Sequence, residues 1–384
     1  MVAACPFPTG QGSQVFIRQL AEALQTRGHR VHLVAYHLSE PGCRTHLPVL
    51  RTPPLPGYAK LNSGPTLYKL LLDLFLAIKL ATLVRGAKID IIHAHNYEAA
   101  LVALWMRKRW RIPVIYHGHT IFEEELPTYF RSRFLKAGTR WLGQRLDSVV
   151  PRRMDRCLAI TSPMLSRLLK RGVEEEKMEL LPPGIFYEAP GAEEIRAAAR
   201  KYALEGRPSV LYAGNLDNYQ RVDLLLEGFQ EVAAECPEAI LLIVTNSNPK
   251  SYKRQVERLR LTKHVRFLTG LPFDEVKAVM ACGDVAVLPR LSPYGLPIKL
   301  LNYMAAGLPV VAFRRAGHIL EHLQTGYLVG EENAHGLAGE IIALLRDRGL
   351  AAKLGANARK AAAAHFGWTQ RISMLESIYE RVMA

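Results

Sequence analysis

The chain has 384 residues and a formal net charge of +15, and 49% of its residues are hydrophobic while 22% are charged. This composition excludes a long disordered polypeptide, and the length exceeds one ordinary hydrophobic core, so we expect two folded domains. The five cysteines are scattered without a C-x-x-C pair, which argues against a zinc or disulfide framework and fits a reducing cytoplasm.

The positive charge is concentrated in the first half of the chain. Residues 1–190 contain 26 Lys and Arg against 15 Asp and Glu, whereas residues 191–384 contain 24 against 20. This asymmetry predicts an anionic ligand or surface for the first half. No helix-turn-helix, zinc-finger or aromatic-basic sheet motif accompanies the charge, so we expect no nucleic acid and favour a phospholipid surface. The first residues, MVAACPFPTG, lack the pattern of a cleavable signal.

Ten short apolar runs alternate with helical patterns. The runs are VHLVAY (31–36), IDIIHAH (89–95), PVIYHGH (113–119), CLAIT (157–161), MELLPPG (178–184), SVLYAG (209–214), AILLIVT (239–245), VRFLTG (265–270), VAVLPR (285–290) and LPVVAF (308–313). Because they are apolar on both faces and separated by helices, they predict parallel sheets covered by helices on both sides. The fold class is therefore α/β, with two doubly wound, Rossmann-like domains.

The pattern restarts near residue 207, after a charged helical segment. We place an N-terminal domain at residues 1–186, a linker at 187–206 and a C-terminal domain at 207–365. An amphipathic helix at 366–384 is expected to pack back on the N-terminal domain. The first strand looks clipped, since only MVAA precedes Cys5. Ligands of open α/β sheets lie outside the carboxyl ends of the strands, so two facing domains would hold a substrate in the cleft between them.

The first motif is PTGQGSQVFIRQLAEALQTRGHRVHLVAY at residues 8–36. Gly10 and Gly12 would allow the backbone to approach a ligand, and the following helix would offer N–H groups to an anion. The alternative is a tight strand-to-helix turn without a ligand. Later in this half, four histidines follow apolar runs: His93, His95, His117 and His119.

The second motif is LYAGNLDNYQRVDLLLEGF at residues 211–229. Gly214 and Asn215 lie at a predicted strand end, and a helix is expected to open near Asp217 or Asn218. Asn215, Gln220 and Arg221 could reach a diphosphate, with Arg221 supplying charge. The alternative is a capped helix with a solvated arginine.

The third motif is SPYGLPIKLLNYMAAGLP at residues 292–309. Lys299 lies in the first turn of a predicted helix that ends at Gly307, a plausible C-terminal cap. A lysine there opposes the helix dipole unless an anion occupies that end. Asn302 follows on nearly the same face, and a solvated lysine with a core-facing asparagine is the alternative. No two aspartates in the chain have D-x-D spacing, so no metal site of that kind is expected.

In their order and in the domains where they occur, these motifs resemble those of the family 4 retaining glycosyltransferases, which have the GT-B fold. The units that carry the resemblance are G-x-G before RGHRV, HAHNYE (93–98), YHGHT (116–120), YAGNL with VDLLLEGF, and PIKLLNYMAAGLPVVA. The resemblance covers nearly the whole chain. It implies transfer of a sugar from a nucleotide diphosphate donor, with retention of configuration and without a cofactor or an obligatory metal.

Residue by residue, the resemblance identifies His119 as the active-site histidine, with His117 as its rival. The family's basic pair falls on Asn215 and Gln220, so both cations are missing. Its paired glutamates fall on Tyr294 and Asn302, so both acids are missing. We expect Arg221, Lys299 and Arg290 to replace the cations, with Lys299 also catalytic, and Asn302 to hold the nucleotide ribose through its amide. The other implied contacts are Gly12, Gly214, Gly295 and Leu300 at the donor and Gly10, His95, Glu98 and His117 on the acceptor side.

Two segments of the first half indicate a membrane-presented acceptor. The helical pattern at residues 129–146 gathers aromatic side chains on one face and cations roughly opposite. These are Phe130, Phe134 and Trp141, and Arg133, Lys136 and Arg140. With MRKRWR (106–111), they predict a footprint on the inner face of the cytoplasmic membrane; a solvated helix is the alternative. The apolar segment 67–85 carries Asp73 and Lys79, each costing about 2.5–3.5 kcal/mol at a bilayer centre, so we expect an internal or interfacial helix.

Two other functions remain open from the sequence. A sugar-nucleotide epimerase or an inverting transferase of the same fold would need a carboxylate base, for which Glu98 and the run 123–125 are candidates. A degenerate paralogue could bind a nucleotide sugar without turnover, because four positions depart from the family pattern.

Overall fold

The chain forms two compact α/β units. A computed structural model describes residues 1–61 and 64–384. The first unit consists of Met1–Gly184 with Tyr294–Leu296 and Trp368–Ala384, and the second of Ile185–Pro293 with Pro297–Gly367. Each unit contains one sheet of parallel strands joined by helices. The predicted fold class, two doubly wound Rossmann-like domains, is confirmed.

The first unit has a seven-stranded parallel sheet in the order β3-β2-β1-β4-β5-β6-β7. Its strands are β1 Val2–Ala3, β2 Leu33–Ala35, β3 Val49–Arg51, β4 Ile92–His95, β5 Val114–Gly118, β6 Arg156–Ala159 and β7 Met178–Leu180. Its helices are α1 Gly12–Thr26, α2 Tyr68–Gly86, α3 Asn96–Trp110, α4 Phe122–Glu125, α5 Arg133–Arg152 and α6 Ser162–Lys170. The order reverses between β1 and β4, so the loops after these strands meet at the switch point where such sheets bind ligands.

The second unit has a six-stranded parallel sheet in the order β10-β9-β8-β11-β12-β13. Its strands are β8 Ser209–Ala213, β9 Ile240–Thr245, β10 Val265–Thr269, β11 Val285–Leu288, β12 Val310–Phe313 and β13 Tyr327–Val329. Its helices are α7 Ala192–Lys201, α8 Val222–Glu235, α9 Lys250–Arg258, α10 Phe273–Ala281, α11 Ile298–Ala306, α12 Ala334–Arg346 and α13 Arg348–His365. Here the switch point lies between β8 and β11.

The ten apolar runs all contain strands, and the described part of the chain has two further strands that were not predicted. β3 and β13 have three residues each and lie at sheet edges, beside β2 and β12 respectively. Edge strands this short need little apolar sequence, because only one neighbour and part of one face cover them.

The segments that flank the second unit are helical. Residues 187–206, which the sequence analysis treats as a linker, contain α7, and this helix belongs to the second unit. The last helix, α14 Trp368–Met383, belongs to the first unit and packs on α1. An ion pair of 2.8 Å joins Arg27, at the end of α1, to Glu376 of α14.

Helices α2 and α5 expose many apolar side chains. In α2, Leu72, Leu76 and Leu80 are buried, while Leu70 and Leu74 are 72% and 56% exposed. In α5 the first ten residues lie almost wholly in solvent. Phe130 was predicted to lie on this helix, which is wrong: α5 begins at Arg133, and Phe130 has extended backbone after a short 3-10 turn. Within residues 1–61 and 64–384, no helix combines the length and hydropathy required to span a bilayer.

Candidate active site

In the second unit, the loops after β8 and β11 contain most of the residues predicted to bind the donor. Gly214 and Asn215 follow β8, and Arg290 follows β11. Lys299 is the second residue of α11, which ends at Gly307 with φ +75, the left-handed cap that the sequence predicts. The N-terminal turn of α11 leaves backbone N–H groups available to an anion.

Lys299 is held by two neutral oxygen acceptors. Its Nζ donates to the hydroxyl of Tyr212 at 2.7 Å and to Oε1 of Gln220 at 3.1 Å. Nζ also lies 4.0 Å from the centroid of the Tyr212 ring. Burial, and next the neighbouring Arg290 cation, lower the pKa of Lys299 well below its ordinary value, while the Asp217 carboxylate opposes this shift. A bound anion would favour the charged lysine.

Two features place the amine beside the end of β8. A Cβ added to Gly214 would overlap Lys299 Nζ and lie 2.7 Å from its Cε, so the amine occupies the space of the missing side chain. Four residues after Lys299, the fully buried Tyr303 accepts a hydrogen bond of 2.7 Å from the backbone N–H of Ala213. This bond fixes α11 against the strand end that carries Gly214.

The remaining residues of this motif have different positions. Gln220 is only 5% exposed and contacts Lys299, so it does not present its amide to solvent. Asn215 donates to the hydroxyl of Tyr219 at 3.2 Å. Arg221 pairs with Asp223 at 2.9 Å and has left-handed backbone with φ +55. The helix opens later than predicted, since residues 218–220 form a 3-10 turn and α8 begins at Val222.

Aromatic and imidazole groups missed by the sequence analysis lie near Arg290. The guanidinium carbon of Arg290 lies 5.5 Å from the centroid of the Tyr219 ring. His318, in the loop after β12, is close enough for the Arg290 charge to depress its pKa, although burial is the larger cause. The signal available in the sequence was a polar R-A-G-H stretch at a strand end.

The other donor candidates lie around the start of α11. Asn302 is partly buried one turn after Lys299. Leu300 is fully buried and its N–H donates to the carbonyl of Pro297, so its side chain belongs to the core and not to a ligand contact. Gly295 is buried in the stretch 294–296, which packs with the first unit. There the carbonyl of Tyr294 accepts from Thr161 Oγ1 at 3.4 Å.

In the first unit, the four histidines form one array at the ends of β4 and β5, in which His93, His95 and His117 are buried. His93 Nε2 lies 3.1 Å from His117 Nδ1, and His95 Nδ1 lies 3.1 Å from His119 Nε2. The hydroxyl of Tyr379, on α14, lies 2.7 Å from His93 Nδ1. Phe16 packs against the array through edge contacts with three of the imidazole rings, those of His95, His117 and His119.

The histidines are neutral groups in this environment. Burial lowers the pKa of His93 and of His119 to about 3, and it lowers those of His95 and His117 well below the ordinary value. His95 and His117 are 0% exposed, so the structure does not support direct ligand contact by either ring. His119 is partly exposed. It is therefore better placed than its rival His117 to reach a ligand.

One trio in this array resembles a metal site by distance alone. Ligand atoms of His93, His95 and His117 lie within 4.8 Å of one another. However, the His95 ring is stacked on the His93 ring at 12° with centroids 4.6 Å apart, whereas His93 and His117 already share a hydrogen bond. In-plane lone pairs of stacked rings do not converge on one point, so the rings do not fit a tetrahedral ion.

The acceptor-side candidates near α1 and α3 are engaged by other residues. The N–H of Gly10 donates to the Glu40 carboxylate at 2.7 Å, and Gly12 is the first residue of α1. Glu98 forms an ion pair of 2.7 Å with Lys69. A carboxylate neutralised in this way is a poor general base.

Comparison with known proteins agrees with the fold. The family model described as Glycosyltransferase Family 4 matches residues 10–188, and the model described as Glycosyl transferases group 1 matches residues 207–347. Together the two models cover most of the chain. The protein belongs to glycosyltransferase family 4 and is a glycosyltransferase of GT-B fold.

Individual relatives align over the whole length. Phosphatidyl-myo-inositol mannosyltransferase from Mycobacterium tuberculosis is 25% identical, over 100% of this chain and 96% of the relative. Sucrose-phosphate synthase from Thermosynechococcus elongatus has a TM-score of 0.81 at 22% identity, covering 99% and 98% of the two chains. Anabaena HepE, solved in complex with UDP-glucose, has a TM-score of 0.75 at 18% identity, covering 98% of each chain. At these identities the two structures support the fold alone.

Proposed function

We propose that this glycosyltransferase transfers a sugar from a nucleoside diphosphate sugar to an acceptor hydroxyl with retention of configuration. The observation that carries the proposal is the amine of Lys299, which has two neutral acceptors and lies at the N-terminus of α11. When the bond from the anomeric carbon to the phosphate oxygen breaks, negative charge grows on that oxygen. A cation and a helix N-terminus stabilise this charge more than the ground state.

The donor fits the second unit. The N-terminus of α11, Lys299 and Gly214 provide a site for the diphosphate, and HepE, a protein of the same fold, was solved in complex with UDP-glucose. Asn302, one turn further along α11, is suited to a neutral hydrogen bond with the ribose. In the first unit, His119 is the residue that the family resemblance identifies as the active-site histidine. The acceptor hydroxyl then bonds to the anomeric carbon on the face that the diphosphate leaves, and its proton passes to the departing phosphate oxygen.

We further propose that the acceptor is presented at a membrane surface. The exposed start of α5 combines Phe134 and Trp141, which are 90% and 58% exposed, with the cations Arg133, Lys136 and Arg140. Helix α3 packs against both α2 and α5 and adds Trp105, which is 55% exposed. Aromatic and basic side chains mixed on exposed helices suit an anionic lipid interface. The name of the mannosyltransferase relative, which indicates a phosphatidylinositol acceptor, supports a lipid-linked acceptor.

Turnover of a panel of nucleotide sugars, with the product anomer assigned by proton NMR, tests the proposal. We expect one donor to be consumed with retained configuration, and activity to survive EDTA because the chain has no D-x-D pair. Lys299→Ala should lower kcat by about 10²–10³, whereas Lys353→Ala, an exposed lysine on α13, should not. Three results would contradict the proposal. A product of inverted configuration would indicate an inverting transferase, and an epimerised donor would indicate an epimerase. Donor binding without turnover would indicate a non-catalytic paralogue. Loss of activity in EDTA that metal restores would overturn the metal-independent mechanism.

A further inference from the structure

The hydroxyl of Tyr212 has a defined hydrogen-bond direction. Tyr212 is 0% exposed, and its hydroxyl lies 2.6 Å from the backbone carbonyl of Asn215, which can only accept. The phenol proton therefore points at Asn215. The oxygen lone pairs of Tyr212 are left to accept from Lys299, whose Nζ is 2.7 Å away. The Tyr212 oxygen therefore accepts a hydrogen bond from Lys299, because its own proton is already donated to Asn215.

Gln220 supplies a second fixed acceptor. Its Oε1 lies 3.1 Å from Lys299 Nζ, and the residue is buried in the 3-10 turn before α8. An ammonium group has three N–H donors. Two of them are satisfied by Tyr212 and Gln220, so one remains for a phosphate oxygen.

These contacts oppose the effect of burial on the charge. Burial and the neighbouring Arg290 cation favour the neutral form of Lys299, whereas the Asp217 carboxylate favours the charged form. A neutral amine would not stabilise a leaving diphosphate. Two oxygen acceptors and the face of an aromatic ring each favour the ammonium form. The Tyr212 ring lies 4.0 Å from Nζ, so one side chain supplies two of these three interactions.

We propose that Tyr212 and Gln220 are positioning residues that favour the charged form of Lys299 and direct its remaining N–H at the donor diphosphate. In this proposal both side chains act through Lys299. The inference rests on the proposed function, because it takes Lys299 as the partner of the diphosphate.

Tyr212→Phe tests the role of the hydroxyl, because it keeps the ring. We expect the pKa of Lys299 to fall by about one pH unit, since the charged form loses an acceptor. The basic limb of the kcat profile should move to lower pH by the same amount. The pKa is read directly from the ε-methylene signal of ¹³C-labelled lysine, which is assigned by its absence in Lys299→Arg. Tyr202→Phe is the matched control, because Tyr202 also lies beside a lysine, Lys201, but away from the site.

Gln220→Glu provides the opposite shift. A carboxylate 3 Å from the amine raises the pKa of Lys299, and it also competes with the diphosphate for the cation. We expect the basic limb to move to higher pH and the donor KM to increase at least tenfold. This second variant keeps the inference testable if Tyr212→Phe does not fold.

The outcomes separate this inference from the proposed function. Unchanged lysine titration and unchanged kcat in Tyr212→Phe, or an unshifted titration in Gln220→Glu, would overturn the inference. If Lys299→Ala turns over normally, the role of Lys299 in the proposed function fails, while the NMR titrations still decide whether the two side chains set its charge. Shifts of opposite sign in the two variants would support the inference.

Discussion

At the scale of single residues, the position of the Lys299 amine depends on Gly214, which has no side chain. Gly214 has φ +149, a conformation that L side chains rarely adopt, and its missing Cβ leaves the space that the Lys299 amine fills. These are two separate reasons for glycine at this position. The first is the positive φ of the backbone, and the second is the Lys299 amine in the space of a Cβ. Glycine is therefore required here for the position of the lysine as well as for the turn.

Replacing Gly214 by a residue with a side chain should displace the Lys299 amine and lower turnover. We expect Gly214→Ala to lower kcat by about 10²–10³, as for loss of one charge-stabilising group, because the methyl group displaces Nζ. Steady-state kinetics with the identified donor measure the effect, and thermal unfolding checks the fold.

Gly270→Ala is the matched control for the backbone. Gly270 also follows a strand of this sheet, with φ +70, but its added Cβ would meet nothing within 4 Å. We expect this variant to lose about 1 kcal/mol of stability and to keep its turnover. Full activity in Gly214→Ala would show that the amine can occupy another position without loss.

Sequence reasoning proposed Lys299 and Gln220 as site residues but did not predict Tyr212 or the contacts that Tyr212 and Gln220 make with Lys299. A lysine in the first turn of a helix is unfavourable without an anion, so its position alone is informative. Tyr212, in contrast, lies in an apolar strand, where a tyrosine is ordinarily part of the core. Its contact with Lys299 joins residues 87 positions apart in the chain. Such a contact depends on the packing of α11 against β8, which local sequence patterns do not specify.

At the scale of helices and strands, internal elements were predictable and exposed ones were not. Strands β8, β9 and β11 were predicted because their residues are buried on both faces and form continuous apolar runs. The start of α5 followed no such rule, since periodicity placed Phe130 on a helix that begins only at Arg133. An exposed helix end makes few tertiary contacts, so burial does not constrain its boundary.

The exposed start of α5 should govern attachment to anionic membranes. Changing Arg133, Lys136 and Arg140 to Gln is expected to weaken binding to anionic liposomes by roughly 1 kcal/mol for each charge. The control changes Lys253, Arg254 and Arg258, three exposed cations on α9, and removes the same charge. Liposome cosedimentation and the donor KM are measured for both variants. If both bind liposomes equally, α5 is not the attachment surface, and a change in donor KM would point to misfolding.

At the scale of the whole molecule, basic charge and buried histidines act together at low pH. The formal charge of +15 already assumes neutral histidines, so acidification adds repulsion to a cationic protein.

The four tryptophans of the chain, at positions 105, 110, 141 and 368, all belong to the first unit, which also contains the histidine array. Tryptophan fluorescence therefore follows the unfolding of this unit without a contribution from the second.

The histidine array should make the first unit unstable in acid. Burial keeps the pKa of each array histidine far below the value near 6.5 that it recovers on unfolding, so below that pH the unfolded chain binds more protons than the folded one. The contribution of the neutral histidines to the free energy of unfolding is complete above about pH 6.5. It is lost as the pH falls toward the pKa values of the folded state, at about 1.4 kcal/mol per pH unit for each histidine.

Urea unfolding followed by tryptophan fluorescence between pH 7 and 5 measures this slope. In His95→Leu the slope should be shallower by one proton, and His46→Leu, which removes an exposed histidine of the same unit, is the matched control. Equal slopes for the wild type and His95→Leu would mean that His95 is protonated in the folded protein, and the neutral array would then be wrong.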